Sequence, residues 1–260
     1  MLKTAPSTLS ADGVLHLTCP RSWKEMSQEQ LRYALHVVGC GLYGSVEGRT
    51  LMLLRFTGIE VIKKGPEGWA CTVSVNVEGK KRAKRHLFFL QTWQVQDMIG
   101  QLEYVDSYED FDVRLESIEG CTAVDALLHR VMFKDYLNME KYYQGYLATK
   151  QEKYAMGLAR LLYPGGVTAI DDAELTGCIM WFSYVKKQFA KFFRHFFKPA
   201  PEGGKAVDWL EQMNAQIRAL TDGDITKESA VLEQDCWRAL TELDAKAHEA
   251  AEFRKKYPKA

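Results

Sequence analysis

From about residue 123 onward, apolar side chains recur at the interval of an α-helix. Phe133, Tyr136, Leu137, Tyr143, Leu147, Tyr154, Leu158, Leu161 and Leu162 fall near one stripe. A stripe of that period has to be buried against other elements, so the second half of the chain is expected to be a packed helical body. Gly145 and Gly157 interrupt the stripe, and Pro164-Gly165-Gly166 ends it. Asp171 and Glu174 stand at capping-box spacing for the next helix, which the pattern carries to Phe197, just before Pro199. Pro199-Ala200-Pro201-Glu202-Gly203-Gly204 reads as a linker. Helices over 206–220 and 227–255, joined by Thr221-Asp222-Gly223-Asp224, then make an antiparallel hairpin.

The first half has another rhythm. Residues 13–17 alternate and run into Thr18-Cys19-Pro20, as a short edge strand would. Ser27 and Gln30 form a capping box for a helix over 27–38, stopped by Gly39-Cys40-Gly41, and a second helix over 46–56 ends at Gly58. Residues 59–62 and 69–77, joined by a turn-rich connection, read as a hairpin, with a further strand over 80–90. A short helix over 92–102 and a strand near 111–115 complete the region. The expected fold class is α+β, predominantly helical: helix pair, small antiparallel sheet, helical body and C-terminal helical hairpin. The expected division is a body over 1–198, a linker over 199–204 and a hairpin tail over 205–260.

Lys+Arg and Asp+Glu are both 34, so no global field draws the chain to nucleic acid or anionic lipid, and any such attraction has to be local. The six cysteines lie far apart, which points to reduced thiols and a cytoplasmic location. No apolar run approaches the ~18 residues that span a bilayer, and the first residues are too polar for a signal peptide.

The motifs that carry chemistry are incomplete. Gly39-Cys40-Gly41-Leu42-Tyr43-Gly44 is a literal GxGxxG, but helical spacing precedes it where a dinucleotide site needs a strand. The loop starting at Asp222 has Lys227 where a calcium loop needs glycine. The histidines form no HExxH and have no CxxC beside them, and neither a GxSxG elbow nor a Walker loop is present. No cofactor, metal site or catalytic residue is assigned. A hydrolase or transferase whose residues are dispersed along the chain stays open.

Two features suggest binding. On the helix through 181–198, Trp181, Val185, Phe189, Phe192 and Phe196 form one stripe with Phe182, Phe193 and Phe197 beside it, opposite Lys187, Lys191, Arg194 and Lys198. That pattern suits a core helix, docking in a partner's groove, or a membrane interface. Trp181, Phe189, Phe193 and Trp237 are the candidate partner-binding residues, because buried aromatics commonly anchor protein interfaces. Lys80, Lys81, Arg82, Lys84 and Arg85 are the alternative, a nucleic-acid-binding segment that would neutralise phosphates, or simply a charged edge that resists pairing with another sheet.

The segments Ser22-Trp23-Lys24-Glu25-Met26-Ser27-Gln28-Glu29-Gln30-Leu31, Arg49-Thr50-Leu51-Met52-Leu53-Leu54-Arg55-Phe56-Thr57-Gly58 and Asp235-Cys236-Trp237-Arg238-Ala239-Leu240-Thr241-Glu242-Leu243 resemble uncharacterised proteins of phage and prophage gene clusters in gut Bacteroidales. Some of those are similar to tail-assembly factors. The resemblance implies a non-enzymatic protein-binding role in phage-type tail or virion assembly, with phage structural or assembly proteins as partners. It carries no catalytic motif.

Overall fold

The computed structural model describes residues 7–10, 12–77, 84–107, 110–197 and 209–257. The linker expected at 199–204 lies outside them, as do Lys80, Lys81 and Arg82. The fold is predominantly helical α+β. The chain divides into two compact units, Met1–Leu115 with Asp172–Gly177, and Glu116–Asp171 with Cys178–Ala260.

In the first unit, β1 (Thr8–Leu9) and β2 (Leu15–His16) pair antiparallel. The Ser27 hydroxyl accepts from the Gln30 amide while the Gln30 side chain accepts from the Ser27 amide, so α1 (Gln28–Val37) starts at the box read from sequence. One π-type turn, Val38–Leu42, follows and breaks at Gly41, where φ is +79°. The literal GxGxxG therefore leaves a helix and not a strand. Ser45 caps α2 (Val46–Thr57), which ends at Gly58 in the left-handed conformation. The strands β3 (Glu60–Gly65), β4 (Gly68–Val77) and β5 (Lys84–Gln91) form an antiparallel ladder with β4 in the middle, and β1 joins β4 in parallel. Side chains alternate across such a ladder. Cys71, Val73, Val75 and Leu90 are buried, as are Val95 and Ile99 of α3 (Thr92–Gly100), which packs along β4 and β5. The strand expected near 111–115 does not form; Phe111 and Leu115 are buried outside any ladder, so their alternation records burial and not pairing.

Thr72 sits on the opposite face of β4, between Glu60 and Leu87 in register. The Arg85–Glu60 ion pair reaches from β5 to β3 on this face. Thr72 is buried, and among the described residues its hydroxyl has no hydrogen-bond partner. An unsatisfied buried hydroxyl is destabilising, while valine keeps the shape and the strand preference. Thr72→Val is therefore expected to raise stability by about 1 kcal/mol in urea denaturation; a loss of that size would mean the hydroxyl is hydrogen-bonded in solution.

The second unit holds the hairpin of β6 (Ser117–Ile118) and β7 (Cys121–Thr122) and the helices α4 (Phe133–Thr149), α5 (Glu152–Leu162), most of α6 (Asp172–Phe192), α7 (Trp209–Thr221), α8 (Glu228–Leu232) and α9 (Cys236–Lys256). The long stripe bends at Lys150, whose φ is +56°, and not at the glycines. Gly145 and Gly157 are where α4 and α5 pass closest: a Cβ at 145 would stand 2.6 Å from the Tyr154 ring, and one at 157 would stand 2.5 Å from the Tyr142 ring.

The helix expected to reach 197 stops at Phe192, and the next turn is held by Asp244, whose carboxylate accepts the backbone amides of His195 and Phe196 at 2.7 and 2.9 Å. The single helix expected over 227–255 is broken before Cys236. There Asp235 accepts the amides of Arg130 and Trp237, and the amides of Phe133 and Cys236 donate to the Gln234 and Val131 carbonyls. Residues 209–257 fall in one compact unit with 116–171, with α4 packed against α7 and α9.

Candidate interaction surface

The aromatic residues singled out on α6 and α9 lie inside the second unit. Phe189 is 0% exposed, and Trp181 and Phe193 are buried with it. The Trp181 indole donates to the Ala126 carbonyl at 2.9 Å. Trp237 is half-buried; its indole donates to the Leu127 carbonyl at 2.7 Å, and its ring stacks on His129 with 4.3 Å between centroids. Phe189, Phe192 and Phe193 pack on the same indole with centroids 5.3–5.4 Å away. Phe189, Phe193 and Trp237 form one aromatic cluster, Trp181 packs its ring on Tyr163, and Trp181, Phe189 and Phe193 are buried in the folded unit. The physical reason is plain: a stripe at helical spacing seeks the nearest apolar neighbour, and α9 supplies it within the same unit.

The exposed apolar surface is elsewhere. On the outer face of β4 and β5, Leu87 is 70% exposed and Phe89 54%, and Ile62 of β3 is 60% exposed. Leu87 and Phe89 are two apart on β5 and share a face; their partners on β4 are Thr72 and Ala70. The β3–β4 register slips between Val61 and Lys63, which leaves Ile62 as the extra residue of a bulge. The tight connection depends on Gly68, where φ is +152° and a Cβ would lie 2.0 Å from the Leu90 carbonyl oxygen. An open groove of about 410 Å³ lies at this end of the sheet, lined by Lys63, Gly65, Pro66, Ala70 and Phe89 among others. The charges on this face are mixed: Lys63 and Glu67 line the groove and Arg85 is matched by Glu60, while Lys84, opposite Val75, belongs to the other face. Among the described residues no strand pairs with the other edge of β5.

From sequence, the second half of the strand over 80–90 is apolar enough to sit against the core, and that expectation hides this face. The signal was there in Leu87-Phe88-Phe89-Leu90: four apolar residues in a row on a strand must put alternate ones outside.

Nucleophiles and ligands for metals are dispersed. Among the described residues no three of His, Cys, Asp and Glu come together as a metal would need. Asp222 is engaged by Lys246, and Asp224 accepts from the amide and hydroxyl of Thr226. Burial pushes the Cys19 thiol up to about 11 and the Cys236 thiol up to about 12, and raises Cys71 as well. Cys40 is exposed, 3.7 Å from the Nε2 of His36. Because the thiolate is the reactive form and needs access, iodoacetamide at neutral pH is expected to label Cys40 of the native protein first and leave Cys71, Cys178 and Cys236 unlabelled. Mass spectrometry of the tryptic peptides checks this; early labelling of Cys236 would contradict the packing around it.

No family model matches this chain, and comparisons with curated proteins and with solved structures find no match either.

Proposed function

We propose that the chain is a non-enzymatic protein-binding factor whose partner docks on the outer face of β3, β4 and β5. The observation that carries this reading is the exposure of Leu87, Phe89 and Ile62 on the same sheet. Clustered exposed apolar side chains with a polar rim mark interaction sites far more often than scattered ones do. The setting of phage-type tail or virion assembly rests on the sequence resemblance alone.

A nucleic-acid reading draws on Lys84 and Arg85 at the head of β5 and the exposed Phe89 in the same strand. Against it, Arg85 is already paired with Glu60, and Leu87 and Ile62 offer no ring for base stacking. Binding to single-stranded DNA or RNA that falls steeply with salt and weakens in Lys84→Ala would decide for it.

A photo-crosslinking side chain placed at residue 89 tests the protein reading, with residue 225 as control because Ile225 is 83% exposed and belongs to the second unit. A discrete protein adduct is expected from 89 and none from 225. Adducts from neither position, or equally from both, would refute it.

A further inference from the structure

His36 stands in the last turn of α1, and Cys40 lies four positions on, in the π-type turn that continues the helix. Both residues are exposed, and the Sγ of Cys40 is 3.7 Å from the Nε2 of His36. Two atoms that bind metals therefore face each other at the surface. A tetrahedral zinc ion, with sulfur at about 2.3 Å and nitrogen at about 2.0–2.1 Å, needs those two ligand atoms about 3.5–3.6 Å apart. The pair already stands close to that spacing. Thiolate with imidazole suits a zinc-class ion, whereas magnesium and calcium take oxygen ligands.

Two ligands are half of a set. Protein zinc sites use four side chains when structural and three with a water when catalytic. Among the described residues no third His, Cys, Asp or Glu joins this pair to hold a metal. The missing half can come from outside, because Cys40 is flanked by the exposed Gly39 and Gly41, and nothing lies within 4 Å of where a Gly41 Cβ would be. Two copies related by a two-fold axis would each bring one His and one Cys, which makes the Cys2His2 set. The formal net charge is zero, so no long-range repulsion opposes their approach. We propose that His36 and Cys40 are half of a zinc-class metal site completed by the same two residues of a second copy of this chain. On binding, each thiol passes its proton to solvent and coordinates as thiolate, each imidazole coordinates as the neutral ring, and nothing is oxidised. The site uses no residue of the sheet face and stands whether or not that face binds protein.

The full chain, kept reduced, is titrated with zinc and its mass followed by sedimentation. Zinc is expected to double the mass at one ion per two chains, and a chelator to reverse this. Cobalt in place of zinc is expected to give a thiolate charge-transfer band and the visible bands of a tetrahedral site. Cys40→Ser and His36→Ala change exposed side chains, so both variants should fold. Each removes two of the four ligands, so zinc should bind at least about a hundredfold more weakly and leave the mass unchanged. A mass unaffected by zinc in the unmodified protein, one ion per chain on a monomer, or a zinc-dependent dimer that persists in both variants would overturn the proposal.

Discussion

Replacing Trp181 and Phe193 together by alanine is expected to unfold the second unit and not merely to release a partner. Truncating a buried Trp or Phe to Ala is destabilising by about 3–5 kcal/mol, through lost transfer energy and the cavity left behind. Two such losses come to roughly 6–10 kcal/mol, comparable with the about 5–15 kcal/mol that holds a domain together. The double variant also leaves the half-buried Ala126 carbonyl without the Trp181 indole donor. Phe193 adds its edge contacts to Phe189 and Trp237, at centroid distances of 5.6 and 5.3 Å. Near-UV circular dichroism and a thermal melt check the outcome: the aromatic signal should collapse and the transition should broaden or vanish. A double variant that melts like the wild type would put these side chains on the surface after all, and would return the α6 aromatic stripe to the list of docking sites.

The elements that could be read from sequence were those whose signals are local. Ser27 with Gln30 fixes a helix start by hydrogen bonds between near neighbours, and Gly58 fixes an end by its conformation. What stayed illegible depended on residues distant in the chain. The break before Cys236 exists because Asp235 reaches Arg130, more than a hundred positions away. Gly145 and Gly157 looked like interruptions of a stripe, whereas their missing side chains admit Tyr154 and Tyr142 from the facing helix. The aromatic residues of α6 were recognised as one surface, but nothing in their spacing says whether the surface that covers them belongs to the same chain. Trp237 settles that point by packing against Phe189, Phe192 and Phe193. The sheet face was overlooked for the converse reason. Apolar residues in the strand suggested burial, and only the ladder register shows which alternate pair is left outside.

Leu87→Ser with Phe89→Ser is expected to have the opposite profile to the core variant. Both side chains are largely exposed, so stability should change by no more than about 1 kcal/mol. Burying a Leu or Phe against a partner contributes about 1.5–3 kcal/mol, so losing both removes about 3–6 kcal/mol of association energy, at least a hundredfold in affinity. Serine is tolerated in β5 because the inward residues of the strand, Phe88 and Leu90, are untouched. The decisive measurement is the dissociation constant, by calorimetry, of the protein recovered through crosslinking at residue 89, for the wild type and for this double variant side by side. The account predicts a hundredfold or greater weakening at an unchanged melting temperature; equal affinity for the two proteins would contradict it.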